Sequence, residues 1–223
     1  LAIHEEYLRA GADIIETNTF GSSALVLAEY ALADQAYALT YEAARLARRA
    51  ADSYTSADKP RFVAGSMGPT TKSISVTGGI SFDELVTAFR EQARALVDGG
   101  VDYLLLETCQ DTRNIKAGLV GIQELWRELG RTVVPVAVSV TIEPGGTMLA
   151  GQDIEALITS LEHADLLYLG LNCATGPELM TDHLRVLAER TAVAVACVPN
   201  AGLPDEDGYY SETPQQMAET LEG

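Results

Sequence analysis

One carboxylate in this sequence is placed where it could bind a ligand. Glu107 ends the apolar run 101–106. A carboxylate in that position loses part of its hydration, and the free-energy cost is high unless a cation or hydrogen-bond donors contact it. A ligand ammonium group would satisfy that need. A bond to neighbouring backbone or to Arg113 would satisfy it equally well, and the sequence alone leaves both interpretations open.

One cysteine is placed where it could react or bind a metal. Cys173 lies in the segment 170–177, Gly-Leu-Asn-Cys-Ala-Thr-Gly-Pro, just before a Gly-Pro step that is typical of a helix start. Accessibility and the positive end of a helix both favour the thiolate form. Cys173 could therefore be a nucleophile, a ligand of a soft metal, or a small apolar residue in a loop. Cys109 and Cys197 are interpreted as packing residues.

Three further polar residues follow apolar runs. Thr17 belongs to 16–21 (Glu-Thr-Asn-Thr-Phe-Gly), Asn172 directly precedes Cys173, and Asn200 belongs to 199–204 (Pro-Asn-Ala-Gly-Leu-Pro). Such side chains could bind a small polar ligand. They could also cap a helix or stabilise a turn.

Short apolar runs alternate with longer amphipathic stretches along the chain. The runs predict strands at 13–17, 62–67, 103–107, 134–141, 166–172 and 194–198. The stretches predict helices at 3–10, 25–53, 82–97, 111–129, 153–162, 177–190 and 214–221.

The repeated strand–helix pattern predicts an α/β domain with parallel strands. Because a polar group follows every predicted strand, ligand groups would converge from all round the carboxyl end of a barrel, which favours a (β/α)8 TIM barrel over a doubly wound sheet. Six strands are two fewer than a complete barrel needs. We therefore expect the first and last strands to be missing from this chain.

Composition excludes several classes of protein. The 223 residues carry 15 basic and 32 acidic side chains, a formal net charge of −17, which disfavours nucleic acid and anionic membrane surfaces as partners. No apolar run approaches the ~20 residues of a membrane span, and no secretory leader opens the chain. The odd number of cysteines, three, argues against a disulfide framework and predicts a reducing, cytoplasmic location.

Five ordered segments together resemble the homocysteine S-methyltransferase family, most closely the homocysteine-binding domain of its cobalamin-dependent members. They are 16–21, 65–69 (Gly-x-x-Gly-Pro), 106–108 (Leu-Glu-Thr), 170–177 and 199–204. The resemblance implies a (β/α)8 barrel that binds zinc through three cysteine thiolates. Cys173 matches the first of these, whereas the adjacent Cys-Cys pair and the family's opening strand are absent. We therefore expect a single homocysteine-binding domain over residues 1–223, truncated at both ends.

The resemblance also implies a role for each candidate residue. Cys173 would be a catalytic metal ligand, Glu107 would receive the homocysteine ammonium group, and Thr17 with nearby backbone N–H groups would orient the carboxylate. Asn172 and Asn200 would shape the rim of the site. Zinc would deprotonate the homocysteine thiol, whose free pKa is about 8.5, so that its sulfur can attack a methyl group.

The sequence leaves the identity of the methyl donor open. The resemblance favours methylcobalamin, carried on another module of the same enzyme and recharged from methyltetrahydrofolate on a folate-binding module. A stand-alone enzyme that uses betaine or an S-methyl sulfonium donor is the alternative. A binding element or inactive fragment is the second alternative, since two of the expected zinc ligands are absent.

Overall fold

A computed structural model describes residues 1–222, in which strands and helices alternate. The strands are β1 (Ile14–Glu16), β2 (Phe62–Met67), β3 (Tyr103–Cys109), β4 (Val136–Val140), β5 (Tyr168–Asn172) and β6 (Ala194–Val198). The helices are α1 (Ala2–Ala10), α2 (Ala24–Leu27), α3 (Ala36–Tyr54), α4 (Phe82–Asp98), α5 (Thr112–Leu129), α6 (Ile154–Leu161), α7 (Pro177–Arg190) and α8 (Pro214–Glu222). None of the helices in this described part of the chain is long and apolar enough to cross a membrane.

The strands are neighbours in the order in which the chain makes them, β1-β2-β3-β4-β5-β6. A doubly wound sheet would reverse its strand order at a switch point, and this order has no reversal. Consecutive parallel strands joined by helices are the arrangement of a (β/α) barrel. The α/β class and the preference for a partial barrel over a doubly wound sheet are therefore confirmed.

The chain divides into two compact units. Unit 1 contains residues 1–106 and 113–137, and unit 2 contains residues 107–112 and the chain from Val138 onward. In unit 1, β2 pairs in parallel with β1 and with the first part of β3. In unit 2, β5 pairs in parallel with β4 and β6. The expectation of one domain over residues 1–223 stays a prediction.

Helix α4 shows how local sequence sets the outer layer of unit 1. Ser81 accepts a hydrogen bond from the Glu84 backbone N–H while the Glu84 carboxylate accepts one from the Ser81 N–H, which makes a capping box at the helix start. At the other end, a Cβ added to Gly99 would lie 2.5 Å from the Ala44 Cβ. Helices α3 and α4 therefore pack too closely there for any larger residue.

One predicted helix is wrong in its extent. The stretch 25–53 contains the short helix α2, two 3-10 turns (Ala28–Tyr30 and Ala33–Gln35) and then α3. The chain breaks at Ala31, which takes a left-handed backbone conformation with φ 57°. The segment has neither glycine nor proline to signal a break, so helix propensity alone predicts one continuous helix here.

Candidate functional site

The turn that follows β5 holds Cys173 in an uncommon backbone conformation. Cys173 and Ala174 have φ angles of 57° and 56°, which are left-handed, and neither residue is glycine. Such residues each cost on the order of 1 kcal/mol, so the surrounding structure has to hold them. The Cys173 N–H donates to the Val198 carbonyl at 3.2 Å, and the Thr175 N–H donates to the Cys173 carbonyl at 2.6 Å. The Cys173 side chain is half-buried.

The loop after β6 packs directly against this turn. The Asn200 N–H donates to the Thr175 carbonyl at 3.1 Å. A Cβ added to Gly176 would lie 2.8 Å from the Gly202 Cα, so the two loops approach at a distance that only glycine permits. The half-buried Asn200 side chain makes no hydrogen bond within the described residues. Its amide is therefore available to a ligand.

Asn172 joins the ends of three strands through one buried amide. Its Oδ1 accepts from the Ser139 hydroxyl at 2.6 Å and from the Thr108 N–H at 3.2 Å, and its Nδ2 donates to the Thr108 hydroxyl at 2.8 Å. The residue is 5% exposed. These bonds use most of the amide's capacity, so Asn172 acts on the shape of the site through its neighbours.

Glu107 is half-buried and precedes a second strained position. Thr108 has a left-handed φ of 55° although it lies within β3. The Asn172 bonds to the Thr108 N–H and hydroxyl stabilise this conformation. Because Glu107 and Thr108 are adjacent, the network around Asn172 also fixes the backbone that carries the Glu107 carboxylate.

Thr17, in unit 1, has its hydroxyl group engaged by its own neighbours. The Thr19 hydroxyl donates its single proton to the Ser66 carbonyl at 2.7 Å, so in the 2.6 Å contact between the two threonine hydroxyls Thr17 must be the donor. The Thr17 hydroxyl also accepts from the Ser66 N–H at 3.0 Å. Thr17 is 4% exposed, and its side chain therefore stabilises the segment after β1.

Four of the five candidate residues lie in unit 2, and backbone or amide bonds link them. The Asn172 amide connects β3, next to Glu107, with β5, while the turn at Cys173 connects to the loop that carries Asn200. Sequence reasoning missed Thr108, Ser139 and Thr175. A serine inside the apolar strand β4 was the signal that could have revealed Ser139.

The two remaining cysteines are poor candidates for metal ligands. Burial, reinforced by the Glu107 carboxylate, raises the pKa of the Cys109 thiol, and burial also raises the pKa of Cys197. Within residues 1–222, no group of three or more His, Cys, Asp or Glu side chains is arranged to hold a metal ion. The described residues therefore offer Cys173 as one ligand and do not form a complete zinc site by themselves.

The fold and the loops at its strand ends define an α/β protein of the (β/α) barrel type. The whole chain, residues 1–223, matches the family model described as homocysteine S-methyltransferase. The chain therefore belongs to the homocysteine S-methyltransferase family, a family of methyltransferases, as its five segments predicted.

A methionine synthase and a homocysteine methyltransferase are similar to this chain. The chain is 42% identical to a methionine synthase from Mycobacterium leprae (strain TN) over 99% of its own length, and it spans 18% of that relative's length. A metallated form of the homocysteine methyltransferase MmuM from Escherichia coli is 25% identical, with a TM-score of 0.76, over 90% of this chain and 71% of that one. Its oxidized form is 23% identical, with a TM-score of 0.78, over 99% and 74% of the two chains.

Proposed function

We propose that this chain is the homocysteine-binding part of a zinc-dependent methionine synthase that methylates the homocysteine sulfur. The observation that carries the proposal is the strained turn at Cys173. Cys173 and Ala174 both have left-handed backbone conformations, and neither is glycine, so the turn costs conformational free energy. This turn carries a half-buried thiol. Such a conformation is typical of functional sites.

The proposed roles follow from the chemistry of each residue. Glu107 binds the ammonium group of homocysteine, and its half-buried position strengthens that charge-assisted contact. The backbone N–H groups after Thr17 bind the carboxylate group, since the Thr17 hydroxyl donates its proton to Thr19. The free amide of Asn200 and the network of Asn172 shape the rim.

Cys173 would be one thiolate ligand of the zinc ion. The remaining ligands would come from a part of a longer protein outside residues 1–222, as the resemblance implies. When bound, zinc supplies a Lewis acid that holds the homocysteine thiol as a nucleophilic thiolate at neutral pH. The proposed methyl donor is methylcobalamin on another module, and folate- and cobalamin-binding modules are the proposed partners. The three free thiols support a reducing, cytoplasmic location.

Metal content tests the role of Cys173. The full natural protein is expected to hold zinc in a one-to-one ratio, and Cys173→Ala should lower its zinc affinity by at least about 100-fold, because a thiolate ligand is lost. The measurement is zinc titration against a chelator, followed by elemental analysis. Cys197→Ala, which removes a half-buried thiol from β6, is the matched control and should keep its zinc. Unchanged zinc affinity in Cys173→Ala would contradict the proposal.

A stand-alone homocysteine methyltransferase is the second candidate, because the solved E. coli relative aligns over most of both chains. The two candidates differ in the donor. Methyl transfer to homocysteine from methylcobalamin supports the first, whereas transfer from betaine or an S-methyl sulfonium compound supports the second. The absence of a three-ligand group within residues 1–222 favours a third candidate, a binding element, for the 223-residue chain taken alone. Calorimetric titration of that chain with homocysteine and zinc tests this candidate.

A further inference from the structure

A buried glutamine lies on the otherwise apolar inner face of α4. Gln92 is 4% exposed, while the buried positions around it are occupied by Phe89, Ala93 and Leu96. Its Nε2 donates to the Thr19 carbonyl at 2.8 Å and to the Ser22 hydroxyl at 3.3 Å. Burying an amide is costly without such bonds, so this side chain is held in place by the segment after β1.

A second helix supports the same segment. The fully buried Thr40 of α3 donates from its hydroxyl to the Ser22 hydroxyl at 2.7 Å, and the Ser22 hydroxyl donates to the Thr19 carbonyl at 2.9 Å. Thr19 in turn bonds to Thr17 and Ser66. One connected set of hydrogen bonds, here called the Gln92 network, therefore runs from α3 and α4 to the ends of β1 and β2.

The segment held by this network exposes backbone donors. Within residues 1–222 the N–H groups of Asn18, Phe20 and Gly21 make no hydrogen bond, whereas those of Thr17 and Thr19 are bonded to carbonyls. Asn18, Phe20 and Gly21 are exposed. A fixed segment with several free N–H groups is suited to bind an anionic group such as a carboxylate.

We propose that Gln92 and Thr40 are positioning residues that hold this segment so that its free N–H groups meet the carboxylate group of an amino-acid substrate. The inference rests on the proposed function for the identity of that substrate. Neither residue touches the substrate. Both act through the Thr19 carbonyl and the Ser22 hydroxyl, and both lie outside the five segments that carry the family resemblance.

Hydrogen exchange tests the positioning directly. In Gln92→Met the side-chain amide is lost at nearly constant volume, so the hydrogen-bonded backbone amides of Thr17, Thr19 and Ser22 should exchange about tenfold faster than in the wild-type chain. The neighbouring, exposed Glu91→Met on the same helix is the matched control and should leave this exchange unchanged. Equal exchange in Gln92→Met and the wild type would overturn the proposal.

A conservative variant distinguishes the loss of the hydrogen-bond donor from a change in side-chain volume. Gln92→Glu keeps the shape but donates to the Thr19 carbonyl only when its carboxyl group is protonated. Because burial raises the pKa of a carboxyl group, protection of the Thr17, Thr19 and Ser22 backbone amides, measured against the wild type at each pH, should be lost at pH 8 and return as pH falls towards 5. A loss that does not depend on pH would contradict a donor role for Gln92.

Ligand selectivity connects the network to substrate binding. By calorimetry on the full natural protein, Gln92→Met should bind homocysteine about tenfold more weakly than the wild type. It should bind 3-aminopropane-1-thiol, which is homocysteine without its carboxylate, with unchanged affinity. Equal weakening for both ligands would show a general structural role and overturn the inference. If the wild type binds neither ligand, the proposed function fails, while the exchange experiment still decides the positioning role.

Discussion

At the scale of single residues, strained backbone and buried hydrogen bonds occur together at several of the candidate functional residues. Thr108 and Cys173 both have left-handed backbone conformations, and each neighbours or is itself a candidate residue. Asn172 lies directly before Cys173 and bonds to Thr108. The Asn172 amide therefore stabilises the strained backbone of Thr108, and Asn172 itself directly precedes the strained residue Cys173.

This arrangement predicts that Asn172 and Asn200 contribute unequally to the free energy of unfolding. Asn172→Ala should lower the free energy of unfolding by about 2–4 kcal/mol, because the Ser139 hydroxyl and the Thr108 N–H lose a buried partner. Asn200→Ala is the matched control, and it should change stability by less than about 0.5 kcal/mol because its amide makes no hydrogen bond within the described residues. Urea unfolding measures both values. Equal losses would contradict the assigned role of Asn172.

At the scale of elements, the close contact between two loops sets the position of the Cys173 turn. Gly176→Ala would place a Cβ 2.8 Å from the Gly202 backbone, so the loops must separate. We expect a loss of about 1–3 kcal/mol in urea unfolding and faster hydrogen exchange at residues 173–175. Gly145→Ala, where an added Cβ meets nothing within 4 Å, is the control. A stable Gly176→Ala with unchanged exchange would show that the loops are free to move apart.

The sequence predicted elements whose signals are local. The strands β2 and β6 and the helix α7 begin and end as predicted, because apolar runs and the Gly-Pro start at residue 177 are sufficient to define them. The break at Ala31 was missed, since neither glycine nor proline marks it in the local sequence. Similarly, the sequence revealed Thr17 and Asn172 as polar residues at strand ends, but not that their side chains bond to neighbours up to 64 positions away.

At the scale of the whole molecule, a strong net charge opposes the association between chains that exposed apolar strands favour. The chain carries a net charge of −17, which repels other copies over about a Debye length, ~10 Å at 0.1 M salt. The last strand in the sheet order, β6, exposes Val198 by 59% and Val195 by 37%. Exposed apolar strands at a sheet edge favour association between chains.

These opposing effects predict that salt promotes self-association of the 223-residue chain. Raising NaCl from 0.05 to 0.5 M screens the repulsion but leaves the apolar contact intact, so the sedimentation coefficient should increase. Val198→Lys places a charge on the edge strand and should keep the chain monomeric at both salt concentrations. Val76→Lys changes a similarly exposed valine, 44% accessible, in the loop between β2 and α4, and should associate like the wild type. If both variants associate equally, the contact does not involve β6 and arises from another surface of the chain.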